Sequence, residues 1–300
     1  MLLPTTETLP KDIAIDGLRS LEAARFMLDA QQVALAAVRK SAPAIIQGAD
    51  VMAAAINAGN SIIYGAAGSS GLMALADACE LPGTFGIPAG LIQIHMAGGV
   101  PADGRMPGNT EDDTAAAEDV ARTVMSGDAI IVLSASGTTP YALQLAASAK
   151  KKGATIIGLA NNPGTALLDL ADVPICLETP PEVIAGSTRL GAGTAQKSAL
   201  NLMSSLMGIK LGHVYQGRMV NVVADNAKLV KRAVGIVAQV AEVSETTAEA
   251  ALSHAKGDVK SAILVALGSS APAAQALLAE HNGHLGPCIQ TIKSDQNINV

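Results

Sequence analysis

Short apolar runs alternate with helix-patterned segments through the middle of the chain. Five runs rich in β-branched or other apolar residues have the length of strands, and they lie at 61–64, 91–97, 128–133, 154–159 and 173–177. Between them, apolar residues recur at helical spacing. Strands that alternate with helices in this way predict an α/β fold with a parallel sheet covered on both faces.

Helical periodicity also dominates both ends of the chain. Residues 1–10, with two prolines and three threonines, predict an extended arm, and the last twelve residues predict a frayed tail. The remaining helices are expected at about 16–40, 41–58, 72–79, 110–126, 141–152, 182–208, 225–240, 245–255, 258–268 and 271–280.

These patterns divide the chain into three parts. An N-terminal arm with helices is expected over 1–60, a ligand-binding α/β domain over 61–220 and a helical region over 221–300. Within the last part, 243–267 predicts a compact three-helix module.

Two loops of small hydroxyl residues directly follow predicted strands. They are 65–71 (GAAGSSG) and 134–141 (SASGTTPY), and each leads into a helix. Short hydroxyls and backbone N–H groups at the positive end of a helix can surround a phosphate group without a lysine or a metal. The two loops indicate one phosphorylated ligand held between them, although glycine and serine after a strand also occur in ordinary turns. A third cluster, with Ser187 and Thr188, stands near a further helix start.

Composition narrows the class of ligand. The 300 residues are 49% hydrophobic and 15% charged, which favours a globular enzyme, and only 2% are aromatic, which disfavours recognition by ring stacking. The net charge of −6 argues against nucleic-acid and anionic-membrane partners.

Cysteine and histidine usage indicates a reduced compartment and no metal. Cys79, Cys176 and Cys288 stand in unrelated contexts, and the five histidines show no ligand spacing. The N-terminus lacks a secretory pattern, and no uncharged apolar run reaches the ~20 residues of a membrane span. We therefore expect a cytoplasmic protein without cofactors.

Several long motifs together resemble one family. They are GAAGSSGLMALADACELPGTFG, SASGTTPY, NNPGT, PEVIAGSTRLGAGTAQKSALNLMSS and GHVYQGRMVNVVADNAKLVKRAV. Over nearly the whole chain the sequence resembles the bacterial N-acetylmuramic acid 6-phosphate etherases, which have the sugar isomerase (SIS) fold. The resemblance implies a doubly wound sheet with flanking N-terminal helices, and a homodimer whose active sites are shared between subunits.

The resemblance also implies roles for individual residues. The phosphate of a phosphorylated amino sugar would lie on hydroxyls of both loops, and Glu80 would be the acid that protonates the departing lactate. Glu182 resembles an acid that precedes the third hydroxyl cluster. The alternative for Glu80 is a solvated carboxylate at a helix end, and the alternative for Glu182 is a structural role. The expected substrate-binding residues are Ser69, Ser70, Ser134, Ser136, Thr138, Thr139, Glu182, Ser187 and Thr188.

The chain departs from the family pattern at the second catalytic glutamate, the base that removes the C2 proton. Counting forward from Ala97, Gly98 and Gly99 places Gly108 at that position. Glu111 or Asp112 could take its place only if the loop repacks by about one helical turn, since three helical residues rise roughly 4.5 Å, and Glu111 is the one that we expect.

Three cations of the family pattern are also absent. Leu72 and Thr138 stand in place of arginines after the hydroxyl loops, and Gly191 stands in place of a lysine. Fewer cations weaken the binding of anions, so a less cationic pocket is expected.

Three functions follow from these observations. The first is a lyase that cleaves the lactyl ether of N-acetylmuramic acid 6-phosphate. The second is an isomerase or lyase acting on a different phosphosugar, as the missing base and cations would allow. The third is a non-catalytic sugar-phosphate sensor, for which the helical module at 243–267 could bind a partner protein. The alternative for that module is a segment that stabilises the dimer or covers the site.

Overall fold

The computed structural model describes residues 5–10 and 14–298. Its contacts divide the chain into two compact units, the first from 1–78 and 90–204 and the second from 79–89 and 205–300. The three-part division drawn from the sequence stays a prediction about domain organisation.

The first unit is built on a five-stranded parallel sheet in the order β2-β1-β3-β4-β5. Its strands are β1 (Ile62–Ala66), β2 (Ile92–Met96), β3 (Ala129–Ser134), β4 (Thr155–Ala160) and β5 (Val173–Cys176). In this order the chain proceeds in opposite directions from β1 and β3, which makes the pair a topological switch point. The α/β, doubly wound fold expected from the sequence is confirmed.

The central strands form because their side chains are apolar on both faces. Every residue of β1 and β3 is buried, whereas only Met96 is buried in the edge strand β2. Helices cover the sheet, and small residues such as Ala142 and Ala146 let one of them pack closely on Ile130. The helices that lie wholly or largely in this unit are α1 (Ser20–Lys40), α2 (Ala42–Asn57), α3 (Gly68–Ala78), α5 (Thr114–Thr123), α6 (Pro140–Lys151), α7 (Ala166–Leu170) and α8 (Gly191–Lys210).

Several predicted helix starts in this unit were wrong, among them the following two. The helix expected over 110–126 begins at Thr114, because Asp113 caps it by accepting a hydrogen bond from the Ala116 N–H. The helix expected from Glu182 begins at Gly191, since 182–190 is irregular. The predicted extended arm contains a 3-10 turn at Thr5–Glu7, while residues 1–4 lie outside the described part of the chain.

The second unit is mainly helical. It contains α4 (Leu81–Phe85), the antiparallel hairpin of β6 (Val214–Tyr215) and β7 (Arg218–Met219), and five further helices. These helices are α9 (Ala227–Ala241), α10 (Glu245–His254), α11 (Val259–Ala266), α12 (Ala271–Glu280) and α13 (Leu285–Ile298). The tail expected to be frayed is therefore helical as far as the structure describes it.

The predicted module at 243–267 contains only two helices, α10 and α11. The third helix packed against them is α9, and Val237, Ala248 and Ile263 share its buried apolar core. Within 5–10 and 14–298, no single helix is long and apolar enough to cross a membrane; the α11–α12 pair passes that test only when its two members, bent by 116°, are counted together.

A buried carboxylate ties α3 and α8 to the sheet. Asp77 is 2% exposed and accepts hydrogen bonds from the Tyr64 hydroxyl at 2.8 Å, from the Asn201 amide at 2.7 Å and from the Ser204 hydroxyl at 2.9 Å. Burial raises the pKa of Asp77, and these hydrogen bonds oppose the rise. The network replaces water around a group that is otherwise costly to bury.

We expect Asp77→Ala to lower the free energy of unfolding by about 3 kcal/mol, because three donors, two of them buried, lose their acceptor. Urea denaturation measures the change. The matched control is Asp119→Ala, which removes an exposed carboxylate paired with Arg122 and should change stability by less than ~0.5 kcal/mol. Equal effects of the two substitutions would contradict the prediction.

Candidate functional site

The loop after β3 is organised by its own hydroxyl groups. Ser134 Oγ lies 2.8 Å from Thr139 Oγ1 and 3.3 Å from Ser136 Oγ, and it accepts a hydrogen bond from the Gly137 N–H at 3.0 Å. Gly137 has a φ of 71°, and a Cβ there would stand 2.2 Å from Thr165 Oγ1. The tight turn therefore requires glycine, and it holds three hydroxyls together before α6 begins.

The loop after β1 leads directly into α3. The helix begins at Gly68, whose φ is 55°, and Ser69 and Ser70 occupy its first turn. The first N–H groups of a helix lack intrahelical partners and carry partial positive charge, so the start of α3 is suited to an anion. The predicted helix start at residue 72 was late by one turn.

Glu111 lies near the start of α3, on the segment that connects β2 to α5. The Thr110 hydroxyl donates to the carbonyl of Ala97, at the end of β2, and the Glu111 carbonyl accepts the Tyr141 N–H of α6 at 2.9 Å. A Cβ on Gly68 would stand 2.9 Å from Glu111 Oε1, so this carboxylate lies directly over the start of α3. Any larger residue at position 68 would displace it.

The two loops and Glu111 line a common cavity of about 210 Å³. That volume equals about seven water molecules at ~30 Å³ each, and it suits a phosphate group with part of the molecule that carries it. The lining residues are Thr6, Glu7, Ala67, Ser69, Ser70, Glu111, Ser134, Ala135, Ser136, Thr139, Gly186 and Thr188. As the structure describes it, the lining contains hydroxyls and carboxylates but no lysine, arginine or histidine.

Several predicted site residues lie elsewhere. The Thr138 hydroxyl is exposed and donates to Ser136 Oγ outside the lining set, and Ser187 neighbours the cavity residues Gly186 and Thr188 without lining it. Glu80 is exposed in the second unit, as the residue before α4.

The Glu182 side chain lies at the start of α8. Its side chain is 3% exposed, and its two oxygens accept the N–H groups of Gly191 and Ala192, both at 2.9 Å. The carboxylate therefore caps α8 and complements its dipole. Each oxygen accepts one backbone N–H, and Glu182 is outside the cavity lining set.

Two cavity residues were missed from the sequence. Thr6 and Glu7 belong to the N-terminal arm, and Thr6 is fully buried. The only local indication is the Thr-Thr-Glu run itself, which has no helical or strand periodicity around it.

Burial also sets the protonation of one neighbouring group. Tyr141 follows Pro140 in the first turn of α6 and is 1% exposed. Burial, with a smaller contribution from the Asp113 charge, raises the pKa of Tyr141 to about 12. The phenol therefore stays neutral near neutral pH. Within the described residues, no group of three histidine, cysteine, aspartate or glutamate side chains could hold a metal ion.

Comparison of the sequence with known proteins points to one family. Residues 25–161 match the SIS domain. An N-acetylmuramic acid 6-phosphate etherase of Edwardsiella ictaluri is 40% identical over 283 residues, covering 93% of this chain and 94% of that protein. An etherase of the same name from Deinococcus radiodurans is 41% identical over 261 residues, covering 86% of each chain.

The chain belongs to the N-acetylmuramic acid 6-phosphate etherase family. Among solved structures, a phosphoheptose isomerase from Francisella tularensis shares 20% identity at a TM-score of 0.45, covering 64% of this chain and 98% of that one.

The etherase assignment bears on the glutamate that was counted to position 108. The described structure places Glu111 in the cavity, whereas Gly108 is outside the lining set. The segment before α5 consists of turns and bends, so the expected shift of Glu111 by one helical turn does not apply to it. Glu111 is thus the carboxylate beside the hydroxyl loops in this etherase-family member.

We expect Ser70→Ala to weaken the binding of inorganic phosphate about tenfold, because a hydrogen bond to a charged group contributes roughly 1.5–3 kcal/mol. Isothermal titration calorimetry measures the affinity. Thr138→Ala is the control, since it removes an exposed hydroxyl of the neighbouring loop and should leave the affinity unchanged. A larger loss in Thr138→Ala than in Ser70→Ala would show that the phosphate lies elsewhere.

Proposed function

We propose that this protein is a carbon–oxygen lyase that converts N-acetylmuramic acid 6-phosphate and water into N-acetylglucosamine 6-phosphate and D-lactate. The observation that carries the proposal is the position of the Glu111 carboxylate, over the start of α3 and in one cavity with both hydroxyl loops. Membership of the etherase family, at 40% identity over 93% of the chain, supports the choice of reaction.

In the proposed complex, the 6-phosphate lies between the loops after β1 and β3. Hydroxyls of Ser69, Ser70, Ser136 and Thr139 donate to its oxygens, and the N-termini of α3 and α6 contribute partial positive charge. Because the cavity lining, as far as the structure describes it, has no cation, neutral donors bind the phosphate. Thr188 faces the same cavity and can bind the sugar.

The proposed chemistry begins on the open-chain aldehyde form of the sugar. Glu111 removes the proton from C2, and the electron pair forms the C2–C3 double bond as the C3–O bond breaks. The departing lactate oxygen takes up a proton, and the family resemblance assigns this acid role to Glu80, which lies outside the described cavity lining. Water then adds to C3 of the unsaturated aldehyde, and C2 regains a proton, so that the net reaction consumes one water molecule. General acid and base catalysis of this kind contributes about 10²–10⁴-fold each.

Exchange with solvent separates the two glutamates. In D₂O, wild-type protein should place deuterium at C2 of N-acetylglucosamine 6-phosphate. Glu111→Gln should slow this exchange by about 10²-fold or more, because the base is lost. Glu80→Gln should retain the exchange while lactate release from the muramic substrate falls by a similar factor. Mass spectrometry and an enzymatic lactate assay measure the two reactions.

The control for Glu111→Gln is Asp112→Asn, which removes the neighbouring exposed carboxylate outside the lining set. It should retain both reactions. A folded wild-type protein that releases no lactate would contradict the etherase assignment. Binding of another sugar phosphate in that case would favour the alternative isomerase, lyase or sensor functions.

We further propose that the protein is a homodimer with shared active sites. α1 exposes Leu21, Leu28 and Leu35, whose exposures are 63%, 62% and 42%. Leucines at every seventh position form a continuous stripe on one side of a helix, as in helix–helix interfaces. A second copy of the chain covering this stripe would remove the exposed apolar surface from water. The three cysteines are free, which supports the expected cytoplasmic location.

We expect Leu28→Glu to convert the dimer to monomer, because it places a charge in the apolar contact. Analytical ultracentrifugation measures the state, and Leu28→Met, which keeps the contact apolar, is the control. With shared sites, lactate release should be lost together with dimerisation. A wild-type protein that sediments as a monomer would rule out the homodimer.

A further inference from the structure

The N-terminal arm contributes a second carboxylate to the cavity. Thr6 and Glu7 belong to the 3-10 turn Thr5–Glu7, and both line the cavity together with the hydroxyl loops. Glu7 is therefore a cavity residue that precedes every helix and strand of the sheet domain. A carboxylate in this cavity requires an explanation, because the hydroxyl loops are suited to an anion and a carboxylate repels one.

Asn162 holds the arm in place. Its Oδ1 accepts hydrogen bonds from the Thr5 N–H at 2.8 Å and from the Thr5 hydroxyl at 2.7 Å. Its Nδ2 donates to the Ala135 carbonyl at 2.9 Å and to Thr6 Oγ1 at 3.4 Å. One side chain, only 6% exposed, thus joins the arm to the loop after β3.

A second attachment fixes the other side of the arm. The Gly186 N–H donates to the Thr6 carbonyl at 3.0 Å, and Thr6 is fully buried. A Cβ on Gly186 would stand 3.1 Å from Glu7 Oε2, so the carboxylate lies against backbone that carries no side chain. The arm is therefore a bound wall of the cavity, with Glu7 at its edge.

The Glu7 carboxylate has no hydrogen-bond partner among the described residues. An ionised carboxylate only accepts hydrogen bonds, and it repels a phosphate dianion. The groups that it can bind are hydroxyls or an amide N–H, which a sugar phosphate offers next to its phosphate. Inorganic phosphate has no sugar hydroxyl or amide N–H beside it.

We propose that Glu7 is a specificity-determining residue that accepts a hydrogen bond from a hydroxyl or amide N–H of the sugar, and that Asn162 is the residue that positions it. The inference rests on the proposed function, because it concerns the same phosphosugar site. The hydroxyl loops bind the phosphate group itself. Glu7 makes the site selective for a sugar phosphate over inorganic phosphate, because only the sugar carries hydroxyls or an amide N–H that can donate to it.

Two ligands test the proposal, namely inorganic phosphate and N-acetylglucosamine 6-phosphate. Glu7→Ala should weaken the binding of the sugar phosphate about tenfold, which equals about 1.4 kcal/mol. The affinity for inorganic phosphate should stay equal or rise, because a repulsive charge is removed. Asp112→Ala, which removes an exposed carboxylate outside the lining set, should change neither affinity.

The positioning role of Asn162 has its own test. Asn162→Ala should reproduce the selectivity loss of Glu7→Ala, and combining the two substitutions should add little further loss. Thr5→Val, which removes only the hydroxyl bond to Asn162, is the milder variant if Asn162→Ala does not fold. If Asn162 had a purely structural role, Asn162→Ala would weaken the binding of both ligands by the same factor. The ratio of the two affinities is therefore the deciding measurement.

Equal changes of both affinities in Glu7→Ala, or no change in either, would overturn the inference. A wild-type protein that binds inorganic phosphate but no sugar phosphate would overturn it as well. Failure of the proposed function gives a different result, because lactate release would then be absent while sugar-phosphate binding and its dependence on Glu7 persist.

Discussion

The parallel pairing of β1 with β3 is the constraint on which the rest of the site depends. Ala66 pairs with Leu133 at the carboxyl ends of these strands, so the loops that follow them begin side by side. The chain continues from β1 towards β2 and from β3 towards β4. This divergence opens a crevice at the carboxyl ends of the two strands. Each loop then enters a helix, which directs two positive helix ends into the same crevice.

The absence of cations from the cavity lining, as far as it is described, changes how the site can work. Hydroxyls and backbone N–H groups bind a phosphate without introducing a full positive charge. Two carboxylates, Glu7 and Glu111, share the cavity with these donors. A lysine or arginine there would pair with one of them, whereas neutral donors leave both free to contact the sugar. In our proposal, the phosphate is bound by neutral donors so that the two carboxylates of the same cavity can contact the sugar.

The sequence predicts the parts of the structure that depend on local patterns. Runs of β-branched residues identify β1, β3 and β4 to within two residues, and glycine and serine after them identify the loops. Two features depend instead on distant partners. Glu182 caps a helix that begins nine residues later, and the loop that carries Glu111 is fixed by the Ala97 carbonyl and the Tyr141 N–H. Periodicity contains no information about such contacts.

The N-terminal arm shows the same limit most clearly. Thr5 binds Asn162 across 157 positions of sequence, and nothing near either residue predicts the contact. Asn162 follows β4, at the carboxyl end of the sheet, where the loops after β1 and β3 also begin. The parallel sheet therefore brings together the residues that bind the arm. Glu7 is thereby held by side-chain and backbone hydrogen bonds outside the sheet, while the phosphate loops are continuous with the strands. A change in the arm can therefore alter which sugar is accepted without disturbing the sheet or the phosphate loops.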